Sequence, residues 1–557
     1  MGLAGAASAV QWTRVLGSGD LAPGFENGTQ VDFIGAVAPR LADDGELIFT
    51  ASMGKAGVPF LTVLYRHSAA GSFDRVALAS PGPFGGDGFA QFTGLESNGR
   101  GDALVFGLRP IAPIPCGDAG IQSQREVAVV YGRDGGDRVV AESFLPVSGA
   151  DREWVDRVGL CMPGSQQCLL GDPPRPLLGE AGGVALTANT ATDACTDRPA
   201  ISAFGPDGAA GEQLAVLAGD PAPGAPEGVA FGSRLDWVRG SLNASGQIAV
   251  RAALDDGSDA LYRWDPGLGL TLLARTGEAS AIAGGALFLN LGAAALDANG
   301  VPAFFATDAA APAGAVGFVG ATPPMNGLWA ADGAGGVRLL ASVGAEAPGA
   351  PDGSVFASFD RPPTVFPFRS PFIPPPFVDA GGEVAVALPV DVPGLGVVPA
   401  VFGSDEDGVF TMRMLGLGPA PGAADMRLGV LEVIGLSEDR RILVRARIHP
   451  DGQPEQTELA WYLLEPTGAE RLLLRASDPL ELVPGEFEPV EDFLVSSLHA
   501  NADLSAFAAL AFRRSLPAAS ALFVAQVPEP GSLASSGVAV SALGWVAHRR
   551  RRLRLRS

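Results

Sequence analysis

Leu242-Asn243-Ala244-Ser245-Gly246 followed by Gln247-Ile248-Ala249-Val250-Arg251-Ala252 is a turn feeding a short strand, and this pairing decides the fold. Asp255-Asp256-Gly257 turns the chain into Ala260-Leu261-Tyr262-Arg263-Trp264, and Pro266-Gly267 turns it again into Leu270-Thr271-Leu272-Leu273-Ala274-Arg275. Thr276-Gly277 closes that run, and a fourth apolar run lies at Ala286-Leu287-Phe288-Leu289. Runs of four to six alternating or solidly apolar residues, bounded by Gly, Asp, Asn or Pro, read as short antiparallel strands. The same unit restarts at Leu296-Asp297-Ala298-Asn299-Gly300.

The 75 Gly and 46 Pro of this 557-residue chain sit at the joints between such runs, and they interrupt nearly every window long enough for an amphipathic helix. The expectation is an all-β chain with a core supplied by strands. The net charge is −23, and about −29 without Arg549, Arg550, Arg551, Arg552, Arg554 and Arg556. So acidic a body repels phosphate backbones, which argues against nucleic acid as a partner.

Unit starts recur at Asp43-Asp44-Gly45, Asn98-Gly99, Ala181-Gly182-Gly183, Asn243 to Gly246, Asp297 to Gly300, Asp379-Ala380-Gly381-Gly382 and a degenerate Ser437-Glu438-Asp439-Arg440. Gln11 to Leu16 with Gly19-Asp20-Leu21-Ala22-Pro23-Gly24 matches a third strand and its turn, as do Leu214 to Gly224 and Leu339 to Gly349. Ala500-Asn501-Ala502-Asp503 opens a last unit that supplies only Leu504 to Phe512 and Ala519 to Ala525. The chain therefore opens with the back of a unit and closes with the front of one. Terminal strands sharing one sheet leave no open edge, so the expected fold is a β-propeller over residues 10–526. Its count is eight four-stranded blades, with seven as the alternative.

The Asn-x-x-Gly-x-x-Ala-Phe pattern, carried at Asn243 to Val250 with Val250 in place of Phe, then Gly327-Leu328-Trp329 and Gly219 to Gly224, resembles the bacterial tandem repeats called after that NxxGxxAF motif. After Gln526, Val527-Pro528-Glu529-Pro530 precedes an uncharged run, Gly531 to Ala547, and then the arginines. This tail, 527–557, resembles a PEP-CTERM sorting signal. The resemblance implies Pro528, Glu529 and Pro530 as the sorting motif, 531–547 as a transmembrane helix, and Arg549, Arg550, Arg551 and Arg552 as the stop-transfer cluster. It also implies an exosortase-type membrane protease as partner. Met1 to Ala9 reads as the last part of a signal peptide, Ala7-Ser8-Ala9 being small-x-small. The expected localisation is the cell envelope or exterior, with membrane anchoring by the C-terminal helix until processing and exopolysaccharide as a possible contact.

Cys116, Cys161, Cys168 and Cys195 fall in one 80-residue window, an even number suited to two disulfides in an oxidising compartment. Cys161 with Cys168 and Cys116 with Cys195 is one of three connectivities. Pro363 to Pro376 is too proline-dense for a central strand and is expected as a loop displaying Phe366, Phe368 and Phe372. His67, His449 and His499 fall at separate strand ends without metal-ligand spacing, and no nucleophile elbow, zincin motif or phosphate loop occurs. Asp255-Asp256-Gly257-Ser258-Asp259 and Asp405-Glu406-Asp407-Gly408 carry oxygen ligands suited to Ca²⁺, but Asp-Gly turns explain them equally well. No catalytic residue, metal or cofactor is therefore assigned. The expectation is a non-catalytic exported protein; the alternative is a propeller hydrolase acting on an extracellular glycan or ester, which would need carboxylates converging at the ring's centre.

Overall fold

The computed structural model describes residues 10–527, except 26–27, 35–38, 56–57, 80–88, 116–120, 143–152, 157–176, 180, 192–197, 205–211, 237–240, 310–324, 360–375, 406, 408, 424, 484–485, 490–491 and 514–518. Every regular element among them is a β-strand. Eight antiparallel sheets of four or five strands follow one another along the chain, with a small two-stranded sheet, Pro479–Val483 and Glu486–Pro489, between the last two.

The fourth sheet serves as the pattern: Phe231–Asp236, Ile248–Leu254, Asp259–Asp265 and Gly269–Arg275, paired in chain order. Both of its faces are covered. Ile248, Val250, Ala252 and Tyr262 pack with Ile201 and Val216 of the third sheet, whereas Ala249 and Leu261 pack with Phe288 and Phe304 of the fifth. Burial on two sides is why these strands read as nearly continuous apolar runs.

Each of the other junctions has its own apolar cluster. Ile48 meets Phe92 between the first and second sheets, and Phe106 meets Val184 between the second and third. Phe305 meets Phe402, and Val401 meets Val444, at the next two junctions along the chain after the fifth sheet. Trp461 meets Phe507 between the seventh and eighth, and Leu522 meets Phe49 between the eighth and the first. Eight sheets with eight successive junctions, the last returning to the first, form a closed circle.

The eighth sheet joins the two ends of the chain. Its order is Trp12–Gly17, Ala519–Gln526, Ala506–Arg513 and Asp492–Ala500, with Trp12 opposite Ala525 and Gly17 opposite Ala521. One expectation is corrected here. The C-terminal part supplies three strands rather than two, because the unit seen in the sequence is offset from the sheet by one strand. The fourth apolar run of each unit crosses over to begin the next sheet, as Phe288–Leu296 does.

A second feature repeats in all eight sheets: the pairing of third and fourth strands slips by one residue at the same place. The shifts fall at Leu64/Tyr65, Val139/Ala141, Ile201/Ser202, Leu261/Tyr262, Leu328/Trp329, Val401/Phe402, Trp461/Tyr462 and Arg14/Leu16. A bulge leaves one extra residue on the outer strand and increases its twist. That explains why fourth strands such as Leu270 to Ala274 do not alternate.

Candidate functional site at the inner strands

The first strands of successive sheets touch one another: Asp492–Ala500 against Arg40–Leu41, Arg40–Leu41 against Gln91–Ser97, and Gln91–Ser97 against Leu177–Leu178. Phe288–Leu296, Phe377–Val378 and Met426–Leu436 do the same on the other side. These strands are therefore the inner wall of the circle, and anything bound at its centre meets them.

At one end of that wall lie the Asn-x-x-Gly turns, which join first to second strands. The last residue of each turn has positive φ: Gly45, Gly101, Gly182, Gly246, Gly300 and Gly382, with Arg440 and Leu504 at 63° and 53° in the two degenerate copies. The Asn243 carboxamide oxygen accepts the Ser245 and Gln247 N–H groups at 3.0 Å, while its Nδ2 donates to Asp297 O at 2.8 Å in the next sheet. Asn98 reaches Gly179 O at 3.3 Å and Asn501 reaches Asp43 O at 3.5 Å in the same way. Arginines add a second stitch: Arg66 donates to Gly101 O at 3.0 Å, Arg138 to Gly182 O at 2.6 Å and Arg263 to Gly300 O at 3.2 Å. The motif that dominates the sequence is thus a joint between neighbouring sheets, and it is saturated by structural bonds.

The acidic turns are likewise occupied internally. Asp256 accepts the Ser258 N–H at 3.0 Å and hydroxyl at 2.6 Å and pairs with Arg275; the Ser258 hydrogen bonds, then Arg275, hold its carboxyl below the usual range. Asp405 accepts the N–H groups of Asp407 and Val409 at 3.0 and 2.9 Å. Among the described residues no group of three or more His, Cys, Asp or Glu is placed to hold a metal ion. His67 lies against the Phe73 ring at 4.5 Å, with burial pushing its pKa down, and His449, in the seventh sheet, has its Nδ1 2.9 Å from the carbonyl oxygen of its own neighbour Pro450. Burial pushes the Glu46 carboxyl up, against the pull of Arg66 and Arg133.

Three buried tyrosines occupy one position, just past the bulge: Tyr65, Tyr262 and Tyr462. Tyr65 donates its hydroxyl to Pro23 O at 2.9 Å, whereas the hydroxyls of Tyr262 and Tyr462 have no partner among the described residues. Burial raises all three pKa values, that of Tyr262 to about 12. Tyr65→Phe is expected to cost about 1 kcal/mol in denaturant unfolding, while Tyr262→Phe and Tyr462→Phe should be neutral or slightly stabilising. Equal losses in all three would contradict this.

One charged network that starts from a first strand has no counterpart among the turns. Arg251, in the second strand of the fourth sheet, lies opposite Asp236 of the first strand. Its Nη2 is 2.7 Å from Asp259 Oδ2 and its Nη1 is 3.7 Å from Asp236 Oδ2. Arg234 Nε closes on the same Asp236 oxygen at 2.8 Å. Arg251 shares the side of Ala249, so the network opens into the groove toward the fifth sheet. Its members are graded in exposure: Arg251 is 11% exposed, Asp259 21%, Asp236 36% and Arg234 59%. Two carboxylates are thus held on either side of one guanidinium, with solvent access. Sequence reasoning missed these residues because they belong to three strands; the one usable signal was an arginine within an otherwise apolar run.

Of the residues singled out from sequence, Cys116, Cys161, Cys168 and Cys195 lie outside the described residues, as do 363–375, Pro528, Glu529, Pro530 and Arg549 to Arg556. The expected localisation is corrected. Among the described residues no helix is long and apolar enough to cross a membrane, because Gly- and Pro-marked turns break the chain into strands, and the segment 531–547 is not among them.

Residues 149–534 match the model of a family of unknown function, DUF7453. The chain belongs to that family. No curated protein matches it. Among solved structures, it is similar to a polysaccharide lyase, an ulvan lyase, at 10% identity over 82% of this chain and 95% of that one, with a TM-score of 0.31. A protein of unknown function from Dyadobacter fermentans matches at 10% identity over 81% and 98%, with a TM-score of 0.24. An exo-β-1,3-galactanase from Phanerochaete chrysosporium matches at 9% identity over 83% and 94%, with a TM-score of 0.22. Two of these three structures are glycan-degrading enzymes by name, and the expectation of a non-catalytic protein is withdrawn on that finding. At such TM-scores the likeness carries no substrate or mechanism over to this chain.

Proposed function

We propose that this DUF7453 chain is an eight-bladed β-propeller that acts on a carbohydrate polymer at its inner strands. The observation that carries the reading is the placing of Asp236 and Asp259 on either side of Arg251, with Arg234 at the rim. Sugar hydroxyls both donate and accept, and a carboxylate–guanidinium–carboxylate row offers both roles in fixed geometry. Two carboxyl groups flanking one site are also what hydrolysis of a glycosidic bond needs. The acidic body favours a neutral polymer over a polyanion. The sorting reading of Pro528, Glu529 and Pro530 is a separate proposal and rests on the sequence alone.

The test is incubation of the protein with a panel of neutral polysaccharides, following new reducing ends. Asp236→Asn and Asp259→Asn should each lower turnover by about 100-fold while melting close to the parent. If turnover survives both substitutions, the assignment of these residues fails.

A further inference from the structure

We infer that the Glu432–Arg445 pair of the seventh sheet is a second contact station for the same ligand, so that the ligand is an extended oligosaccharide bridging part of the circle. This rests on the reading of Asp236, Arg251 and Asp259 given above. Arg445 lies opposite Glu432, as Arg251 lies opposite Asp236, each pair joining the first strand of its sheet to the second. Each arginine stands five residues beyond the positive-φ residue of its turn, Arg440 and Gly246 respectively, so both sit at one height on the second strand, beside the inner first strand of the sheet. Both face the following sheet: Arg445 shares the side of Leu443, which packs against Phe507 of the eighth sheet.

Arg445 Nε is 2.9 Å from Glu432 Oε2, the arginine 14% and the glutamate 32% exposed, close to the values for Arg251 and Asp236. The same position in the other six sheets, opposite the third-strand residue that precedes the register shift, holds Thr50, Phe106, Thr187, Phe305, Ala387 and Leu510. A structural need common to every sheet would have placed charge there more widely. Two charged stations, three sheets apart in a circle of eight, suit a ligand with repeated hydroxyl groups along its length. A compact ligand would reach only one of them.

Cello-oligosaccharides of increasing length, neutral and stiff, are the probe, with binding measured by calorimetry and folding by melting. Wild type is expected to gain affinity stepwise once the chain is long enough to reach both stations, by about tenfold or more. Glu432→Gln with Arg445→Gln should keep the affinity for the shortest oligomers that bind and lose that gain. Asp236→Asn with Asp259→Asn should weaken binding at every length. If the seventh-sheet variant binds the whole series like wild type, the second station is wrong and the first stands. If the fourth-sheet variant alone leaves binding unchanged, the proposed function is misplaced. Absence of binding by wild type at every length overturns both.

Discussion

A circular permutant joining Gln526 to Val10 through a short turn, and opened at the exposed hairpin between Gly267 and Leu268, will fold and melt within a few degrees of the parent. Deletion of residues 10–17 will instead abolish cooperative unfolding or lower the melting temperature by many degrees. The reason lies in the eighth sheet. Trp12 is opposite Ala525 in an antiparallel pair, so the two ends of the chain stand where every other sheet has a hairpin between its third and fourth strands. In the fourth sheet that hairpin is Asp265 to Gly269, with Leu268 86% exposed, and in the seventh it runs from Leu464 to Glu470.

Moving the gap from one equivalent hairpin to another leaves all eight sheets intact. Removing the strand does not. Leu16, 4% exposed, is lost from the junction with the first sheet, at about 2–3 kcal/mol for its burial alone. The indole N–H of Trp12 no longer meets Leu473 O at 3.0 Å, and the antiparallel pairing from Trp12 opposite Ala525 to Gly17 opposite Ala521 is gone. The edge of Ala519–Gln526 is then bare, and a bare strand edge is a template for association. Thermal melting followed by far-ultraviolet circular dichroism, with light scattering for association, decides the matter. A deletion variant that melts like the parent, or a permutant that fails to fold, would show that the terminal strand does not close the circle.

The second large effect is local. Gly300→Ala is expected to destabilise by about 2–3 kcal/mol, against about 1 kcal/mol for Gly257→Ala. Both glycines have positive φ, +76° and +86°, so both substitutions meet the same backbone penalty. Around Gly257 nothing lies within 4 Å of the added methyl group. At Gly300 that methyl would collide with Gln247 Oε1 and come within 2.8 Å of Arg263 Cδ. Arg263 is the side chain that donates to Gly300 O, so relief of the clash pulls away the stitch between the fourth and fifth sheets. Paired urea denaturation curves measure the difference. Equal losses at the two positions would mean that the inter-sheet stitch contributes nothing to stability.

The contrast between these glycines separates two roles that look identical in the sequence. Asp-x-Gly at 255–257 is only a hairpin, while Asp297-Ala298-Asn299-Gly300 is a hairpin that also receives its neighbour. The same holds at Arg440, which takes the glycine position at φ 63° and reaches back to Asp405 O at 3.2 Å in the sixth sheet. An arginine there accepts backbone strain and supplies a link across the junction in its place.

The amino-acid sequence by itself determined the strands, their turns and the sharing of one sheet by the two ends of the chain. These follow from local chemistry: apolar runs of strand length, Gly and Asp where φ must be positive, and complementary partial units at the termini. Three things were decided only in the folded chain. Sheet boundaries fall one strand away from the repeat boundaries, because the crossover after each fourth strand is no different in composition from a turn within a sheet. The bulge opposite Leu261/Tyr262 and its seven equivalents inserts one residue without any Gly or Pro to mark it, and so changes which side chains of the fourth strand face each neighbour. The charged network was the third. Arg234, Asp236, Arg251 and Asp259 meet only because three strands align in a particular register, and register is a property of pairing, not of any one strand.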